Sequence, residues 1–481
     1  MTVTPYRDLL RALAPSPGLH LARRSSAARA EMVAMAGSSE KITSLHVPLP
    51  LIDPLAVYQQ LAGTLTACTY WENRAAGLAM FAGDVRCSLE LTGKERFTLA
   101  SQFVADTKSR IVRSDANDSP SMPIGNHPCF FGSFAFADDD SSCPNVIYLP
   151  AWHVYRHGDR CGLVVNLSAN HLDESLDRLI ERIITHDRLD RTHLGIGGDG
   201  IPWEIAADSQ DLSAKIRRVL REMARRNVTK VVLSRTLEIV APADIDPIAT
   251  LDRLRYAYPD CYTFAHRFAN NKETFLGASP ERLLGLTNGQ LTVDALAGSA
   301  PRGGDDIADR QLADALMASD KERREHQLVR DFIVDRLQEM GIQPIVATAP
   351  QLRTLANIHH LWTPIRAIVE PPISPLNLVD SLHPTPALAG VPRAAALASI
   401  RACEDSERGR YAAPIGWLDT AGNGEFIAGI RSALVKENRA RLYAGAGIVA
   451  GSEPDQEVAE IALKLQPLLQ SLSLVVDARE R

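Results

Sequence analysis

Two stretches of the chain carry the same pair of acids at the same spacing. Glu322 and Glu325 lie in Lys321-Glu322-Arg323-Arg324-Glu325-His326, and Glu457 and Glu460 lie in Glu453-Pro454-Asp455-Gln456-Glu457-Val458-Ala459-Glu460. A separation of three puts both members of each pair on one helical face. That face is apolar in both cases: Glu325 shares it with Leu328, Val329 and Phe332, and Glu460 shares it with Ile461, Leu465 and Leu468. A single pair of this kind is ordinarily a salt-bridged surface, and Arg323 and Arg324 stand ready for that. Four carboxylates on two facing helices form instead an oxygen-rich cage that suits Mg2+. Zinc would recruit cysteine or histidine, and only His326 is near in sequence.

Two further residues have types that suit proton transfer. Lys230 opens the strand-like run Lys-Val-Val-Leu-Ser-Arg; a lysine turned inward at a strand end is a general base when desolvation depresses its pKa, although most lysines at such positions are simply solvated. Glu281 follows Gly277-Ala278-Ser279-Pro280, a turn that holds one carboxyl beside a sheet, where burial keeps a carboxyl protonated as a general acid. Taken alone, a glutamate in the position of Glu281 is more often a turn or cap residue.

The composition sets the frame for this chemistry. A length of 481 residues with 45% hydrophobic and 23% charged residues describes a globular chain with a large core. The formal net charge of −6 speaks against a phosphate-backbone partner, so no nucleic-acid binding is expected. Seven cysteines, odd in number and nowhere spaced C-x-x-C, read as reduced thiols in a cytoplasmic protein. No run of about eighteen apolar residues is present, so no membrane span is expected. The acid-free segment His20–Ala30 faintly resembles an organelle transit peptide, but a frayed helix end accounts for it more simply.

The elements that must position these residues follow from periodicity. Residues 1–39 read as one short helix, Tyr6–Leu13, and a basic connector. Residues 40–210 alternate strand-like runs (Ile42–Val47, Gly77–Phe81, Arg86–Leu91, Phe130–Phe136, Val146–Leu149, Gly162–Asn166) with helices at Pro54–Ala62, Glu95–Val112 and Leu172–Thr185, and the glycine-rich piece Gly195–Gly200 reads as a linker. Residues 211–475 begin with an amphipathic helix, Asp211–Asn227, and continue through strands on either side of one long helix, Ile307–Glu339. The order predicts an α/β chain of α+β type, with two large, mainly antiparallel β-sheets packed together and helices outside. A doubly wound parallel sheet does not fit.

The strings KVVLSR, FLGASPERL, ALAGSAPRGG, DKERREHQLV, HHLWTPI, LHPTPALAG, YAAPIGW, FIAGIRSAL and YAGAGIV, followed by E-x-x-E and Lys464, occur in the order and spacing of the chorismate-utilising enzymes. The chain resembles that family over residues 211–475, with weaker echoes at Tyr70-Trp71-Glu72 and Phe130–Phe134. The family includes isochorismate synthase, salicylate synthase, anthranilate synthase component I and aminodeoxychorismate synthase. The resemblance implies Mg2+ held directly by Glu325 and Glu460 and through water by Glu322 and Glu457. It also implies that Arg431 and Tyr411 grip the enolpyruvyl carboxylate of chorismate. Lys464, Gly298, Ser299, Gly445 and Gly447 would lie near the ring carboxylate and its metal, and His360 beside the ring, although a strand histidine satisfied by backbone is the plain alternative. Lys230 matches the base and Glu281 the acid of the isochorismate-forming members, roles that require a lysine pKa driven down and a glutamate pKa driven up.

Differences within the family narrow the reaction. Ala297 stands where aminodeoxychorismate synthases carry a lysine, which closes their covalent route. Enzymes that use ammonia usually lack a lysine at the place of Lys230, so water is the expected nucleophile. Salicylate and anthranilate synthases tend to have threonine at the place of Ala387, next to Leu388, whereas isochorismate synthases resemble the Pro-Ala-Leu found here. The expected reaction is Mg2+-dependent isomerisation of chorismate to isochorismate by a monomer. Salicylate synthase is the alternative, and a degenerate binding protein of the family is the non-enzymatic one. His359 in place of glutamine, Ser299 in place of threonine and Val458 in place of an aromatic residue are departures that bear on pocket shape.

Overall fold

The structure is a computed structural model and describes residues 41–113, 124–140, 142–168, 175–185, 204–208, 211–225, 227–268, 273–370 and 372–472. The expected helix Tyr6–Leu13, the segment His20–Ala30 and the linker Gly195–Gly200 lie outside the described residues. Among the described residues, twenty-one strands join one hydrogen-bonded network. Every pairing in it is antiparallel except that of Ile42–Leu49 with Ile111–Arg113. Mainly antiparallel sheet with helices outside is the expected architecture, and the two expected sheets are two arms of this network.

The arms meet at the long strand Asn145–His157. One edge of that strand pairs with Leu78–Leu91, while the other is shared between Cys129–Ser133 and Arg160–Ser168. From Leu78–Leu91 the first arm runs through Cys68–Asn73, Tyr262–Arg267, Thr274–Ser279, Ser432–Lys436 and Arg439–Val449 to Lys230–Val240. The second arm runs from Cys129–Ser133 through Pro414–Asp419, Gly424–Ala428, Arg282–Thr287 and Gln290–Pro301 to Ile358–Ile368. Residues from both sides of position 210 are thus neighbours in each arm.

Strand period explains the two cores. In the second arm Phe131, Trp417 and Ile427 belong to one buried cluster, with Tyr70, Trp71 and Phe264 of the first arm, whereas their neighbours Phe130, Leu418 and Phe426 belong to the other. That other cluster packs against the helices Arg96–Arg110, Asp320–Glu339 and Pro375–Leu382 through Phe97, Val329, Ile333, Leu337 and Leu378. Each strand of the arm therefore places alternate residues on opposite faces, and both faces are covered.

Three expectations about elements change. The long helix Ile307–Glu339 is two helices, Asp306–Ala318 and Asp320–Glu339, broken at Ser319, whose extended backbone and hydroxyl cap the second by accepting from Glu322 N. The separate strands Gly77–Phe81 and Arg86–Leu91 are one strand, Leu78–Leu91, with an irregularity between Val85 and Cys87 that leaves its pairing continuous. Cys68–Asn73, Pro247–Ala257 and Arg393–Cys403 are further ordered elements that periodicity alone did not pick out.

Candidate active site

The chain passes from the first arm to the second at Pro280-Glu281, between the strands Thr274–Ser279 and Arg282–Thr287. It returns at Gly429–Arg431, between Gly424–Ala428 and Ser432–Lys436. The two crossings lie side by side: Ala428 N donates to Glu281 O, and Ala278 N donates to Arg431 O. Ser279 fixes the first crossing, its hydroxyl donating to Ala428 O at 2.6 Å and accepting from Glu281 N. Arg431 sits at φ +48° in the left-handed region, a conformation that costs any residue with a Cβ energy.

A cleft of about 710 Å3, counted with the space open at its mouth, lies at these crossings. Fourteen of the sixteen residues expected at the site line it: Lys230, Glu281, Gly298, Ser299, Glu325, His360, Ala387, Leu388, Tyr411, Arg431, Gly445, Gly447, Glu460 and Lys464. Glu322 and Glu457 stand just behind the wall. Glu322 accepts from Ser299 N at 3.1 Å, and Glu457 is buried in the first turn of the helix Pro454–Ser471.

Register accounts for the floor of the cleft. In the pairing of Lys230–Val240 with Arg439–Val449, Lys230, Val232 and Ser234 face Val449, Gly447 and Gly445. The two glycines leave that face open. A Cβ on Gly447 would lie 2.3 Å from Glu325 Oε1 and 2.9 Å from Lys230 Cε, and one on Gly445 would lie 2.7 Å from the Tyr411 hydroxyl. Ala446 and Ile448, which alternate with the glycines, are buried on the opposite face. Gly298, at φ +78°, permits the shift in pairing between Ala297 and Ser299 that turns the Ser299 amide to Glu322.

Proton positions follow from donors and acceptors. His360 Nε2 lies 2.9 Å from Arg431 Nη2, and a guanidinium only donates, so Nε2 accepts and the proton sits on Nδ1, within reach of Gly298 O at 3.2 Å. Burial and the charges of Arg431 and Lys464 hold His360 well below the usual histidine range, so it is neutral. Arg431 is buried with no ion pair to a carboxylate among the described residues, and its Nη1 has no hydrogen-bond partner. That is an unsatisfied cation in the wall of a cleft. Burial pushes the Glu281 carboxyl up to about 7, against the lowering effect of Lys230 and Lys464. Tyr411 stacks on Tyr443 with ring centres 5.3 Å apart.

Lysines hold the carboxylates. Lys230, 1% exposed, is 2.8 Å from Glu325 Oε1, and Lys464 is 2.6 Å from Glu460 Oε1 while donating to Gly445 O at 3.0 Å. Lys321 lies 2.8 Å from Glu457 and 3.2 Å from Glu322. Burial works against the Lys321 charge, but the hydrogen bond to Glu457 and the charge of Glu322 raise its pKa above the ordinary lysine value. The Glu322 carboxyl is pushed up by burial and by the charge of Glu325, with Glu460 adding to it, so these carboxylates repel one another across the two helices. In this lysine-paired arrangement no group of three or more acidic, histidine or cysteine side chains among the described residues converges tightly enough to hold a metal ion. His326 points away, 2.8 Å from the Thr363 hydroxyl, and burial lowers its pKa to about 4.

Two further residues bear on the cleft without belonging to the expected set. One is Lys321, adjacent in sequence to Glu322. The other is Arg408, whose guanidinium donates to Leu388 O, Val232 O and Glu404 and lies 4.3 Å over the Phe136 ring. Arg408 thereby ties the Leu388 loop to the Lys230 strand. The departure at His359 leaves the cleft untouched: its side chain faces the other side of the strand, 2.9 Å from Asp309 and 3.0 Å from the Thr354 hydroxyl.

A family model described as "Chorismate binding enzyme" matches residues 27–473, and the chain belongs to that family. It is 36% identical over 442 residues to the salicylate biosynthesis isochorismate synthase of Pseudomonas aeruginosa, covering 88% of each chain. It is 39% identical over 259 residues to the isochorismate synthase EntC of Escherichia coli, a match spanning 54% of this chain and 66% of that one. Among solved structures, MenF, the menaquinone-specific isochorismate synthase from Escherichia coli, superposes with a TM-score of 0.73 at 27% identity, covering 93% of this chain and 99% of the other. Among the described residues, no helix is long and apolar enough to cross a membrane.

Proposed function

We propose that the protein is an isochorismate synthase, which adds water at C2 of chorismate and expels the C4 hydroxyl. The observation that carries this reading is the placement in one cleft of Lys230, at the end of a first-arm strand, and Glu281, at the crossing between the arms, with burial pushing the Glu281 carboxyl up to about 7. Lys230 takes the proton of the attacking water, and Glu281 gives its proton to the departing hydroxyl. For Lys230 to act, its pair with Glu325 has to open.

Charge balance supports the expected cation. Glu322, Glu325, Glu457 and Glu460 set four carboxylates around the cleft, held by Lys230, Lys321 and Lys464, and a dianionic substrate adds two more negative charges, which favours a divalent cation there. The donor set is all carboxylate oxygen, crowded enough for mutual repulsion, and fits Mg2+. Glu325 and Glu460 would hold it directly and Glu322 and Glu457 through water. When bound, Mg2+ would supply Lewis-acid polarisation of the ring carboxylate. Arg431, fixed by His360, offers its free Nη1 to the enolpyruvyl carboxylate with Tyr411 beside it, and Lys464 with the backbone at Gly445 and Gly447 lies toward the ring carboxylate. Ala387 and Leu388 present an apolar wall rather than a hydroxyl near the ring.

The test is incubation of purified protein with chorismate and Mg2+, followed by identification of the product. Isochorismate, lost on addition of EDTA, is the expected result. Salicylate with pyruvate as the main products would make the protein a salicylate synthase instead, and an absence of turnover would leave a chorismate-binding role.

A further inference from the structure

We infer that Lys321 is a built-in counter-ion that holds Glu322 and Glu457 in place of a divalent cation, so that cation binding proceeds by displacing it. The inference rests on the reading of the four-glutamate cluster as a Mg2+ site.

Lys321 occupies the first turn of the helix Asp320–Glu339, directly before Glu322. Its ammonium reaches across to the other carboxylate-bearing helix, 2.8 Å from Glu457 Oε1, and lies 3.2 Å from Glu322 Oε1. Its side chain is 25% exposed, whereas that of Glu457 is 2% exposed and that of Glu322 is 15% exposed. The lysine therefore sits at the outer rim and is the member free to swing into solvent. The glutamates cannot follow it. Glu322 is anchored by Ser299 N through Oε2, and Glu457 belongs to a helix packed on the strand Arg439–Val449.

A buried carboxylate left without a partner is costly, so something must neutralise Glu457 when no divalent ion is present. Lys230 and Lys464 are taken up by Glu325 and Glu460, which leaves Lys321 as the cation that joins the two helices. Its single charge on a flexible stem exchanges readily, and the amine contributes no ligand to a metal while protonated. The consequence is a competition. The affinity of the cluster for a divalent cation is lowered by the work of displacing the lysine, and the carboxylates keep their arrangement in its absence.

The experiment is calorimetric titration of the full chain with Mg2+, in wild type, Lys321→Met and Lys321→Arg. Removal of the competing charge should tighten Mg2+ binding on the order of ten-fold. It should also enlarge the rise in thermal midpoint that saturating Mg2+ produces, because Glu457 is then unpaired in the metal-free protein. Lys321→Arg should bind like wild type. Binding by Lys321→Met that is equal to or weaker than wild type, with wild type binding Mg2+, would overturn the displacement role and leave the metal reading intact. Wild type that binds no Mg2+ would overturn both. Lys321→Gln serves as a second charge-removing variant should the methionine form fold poorly.

Discussion

Glu281 carries two consequences that belong to a single side chain. Its carboxyl binds a proton more tightly in the folded protein, at about 7, than at its ordinary value of 4.5, because burial disfavours the charged form. Native stability from this group is therefore complete below about 4.5 and is lost as pH rises to about 7. Glu281→Gln should lower turnover by roughly 10²- to 10⁴-fold. The same variant should melt at a higher temperature than wild type at pH 8, with a smaller difference at pH 5. A variant that kept its turnover, or that was destabilised equally at both pH values, would remove the buried-acid account. His360 makes the contrasting case: held neutral by burial and by Arg431, it positions the guanidinium and takes no part in the pH profile.

At the level of elements, the cleft depends on how closely the strand Arg439–Val449 approaches the helix Asp320–Glu339. Gly447 is the point of contact, with Glu325 Oε1 and Lys230 Cε both inside the space a methyl would need. Gly447→Ala must part the Lys230–Glu325 pair or move the strand. We expect turnover to fall about 10²-fold or more, as displacements near an ångström in reacting groups produce, while circular dichroism stays unchanged. Wild-type kinetics in that variant would mean the approach is not required. Much of this was legible beforehand, because E-x-x-E spacing and the glycines around Ala446 are local properties of one helix and one strand. The break at Ser319 was not, since the apolar pattern runs through it and only the cap geometry ends the first helix. The strand Cys68–Asn73 also escaped notice, because it is buried on both faces and its sequence does not alternate.

For the molecule as a whole, the two arms interleave the N-terminal and C-terminal parts of the chain. Tyr262–Arg267 pairs with Cys68–Asn73, and Pro414–Asp419 pairs with Cys129–Ser133. Residues 211–475 carry every proposed site residue, yet on their own they would expose two open strand edges and half of the aromatic core around Trp71 and Trp417. We expect that fragment, produced alone, to show no cooperative unfolding transition and to aggregate. The intact chain should show one transition spanning both parts. A soluble, active fragment of residues 211–475 would contradict the shared-network description.

The sequence by itself determined the residue types, the helical faces that carry Glu322, Glu325, Glu457 and Glu460, and the antiparallel, strand-rich class, since each depends on spacing within one element. Ordered motifs determined the family. The tertiary structure decided what those residues meet. It set Glu281 and Arg431 side by side at the two crossings between the arms, paired Lys230 with Glu325 and Lys464 with Glu460, and brought Lys321 to Glu457, 136 positions away. The physical reason is that periodicity fixes which face of an element is apolar, whereas the partner on that face is chosen by strand register and helix packing over long sequence distances.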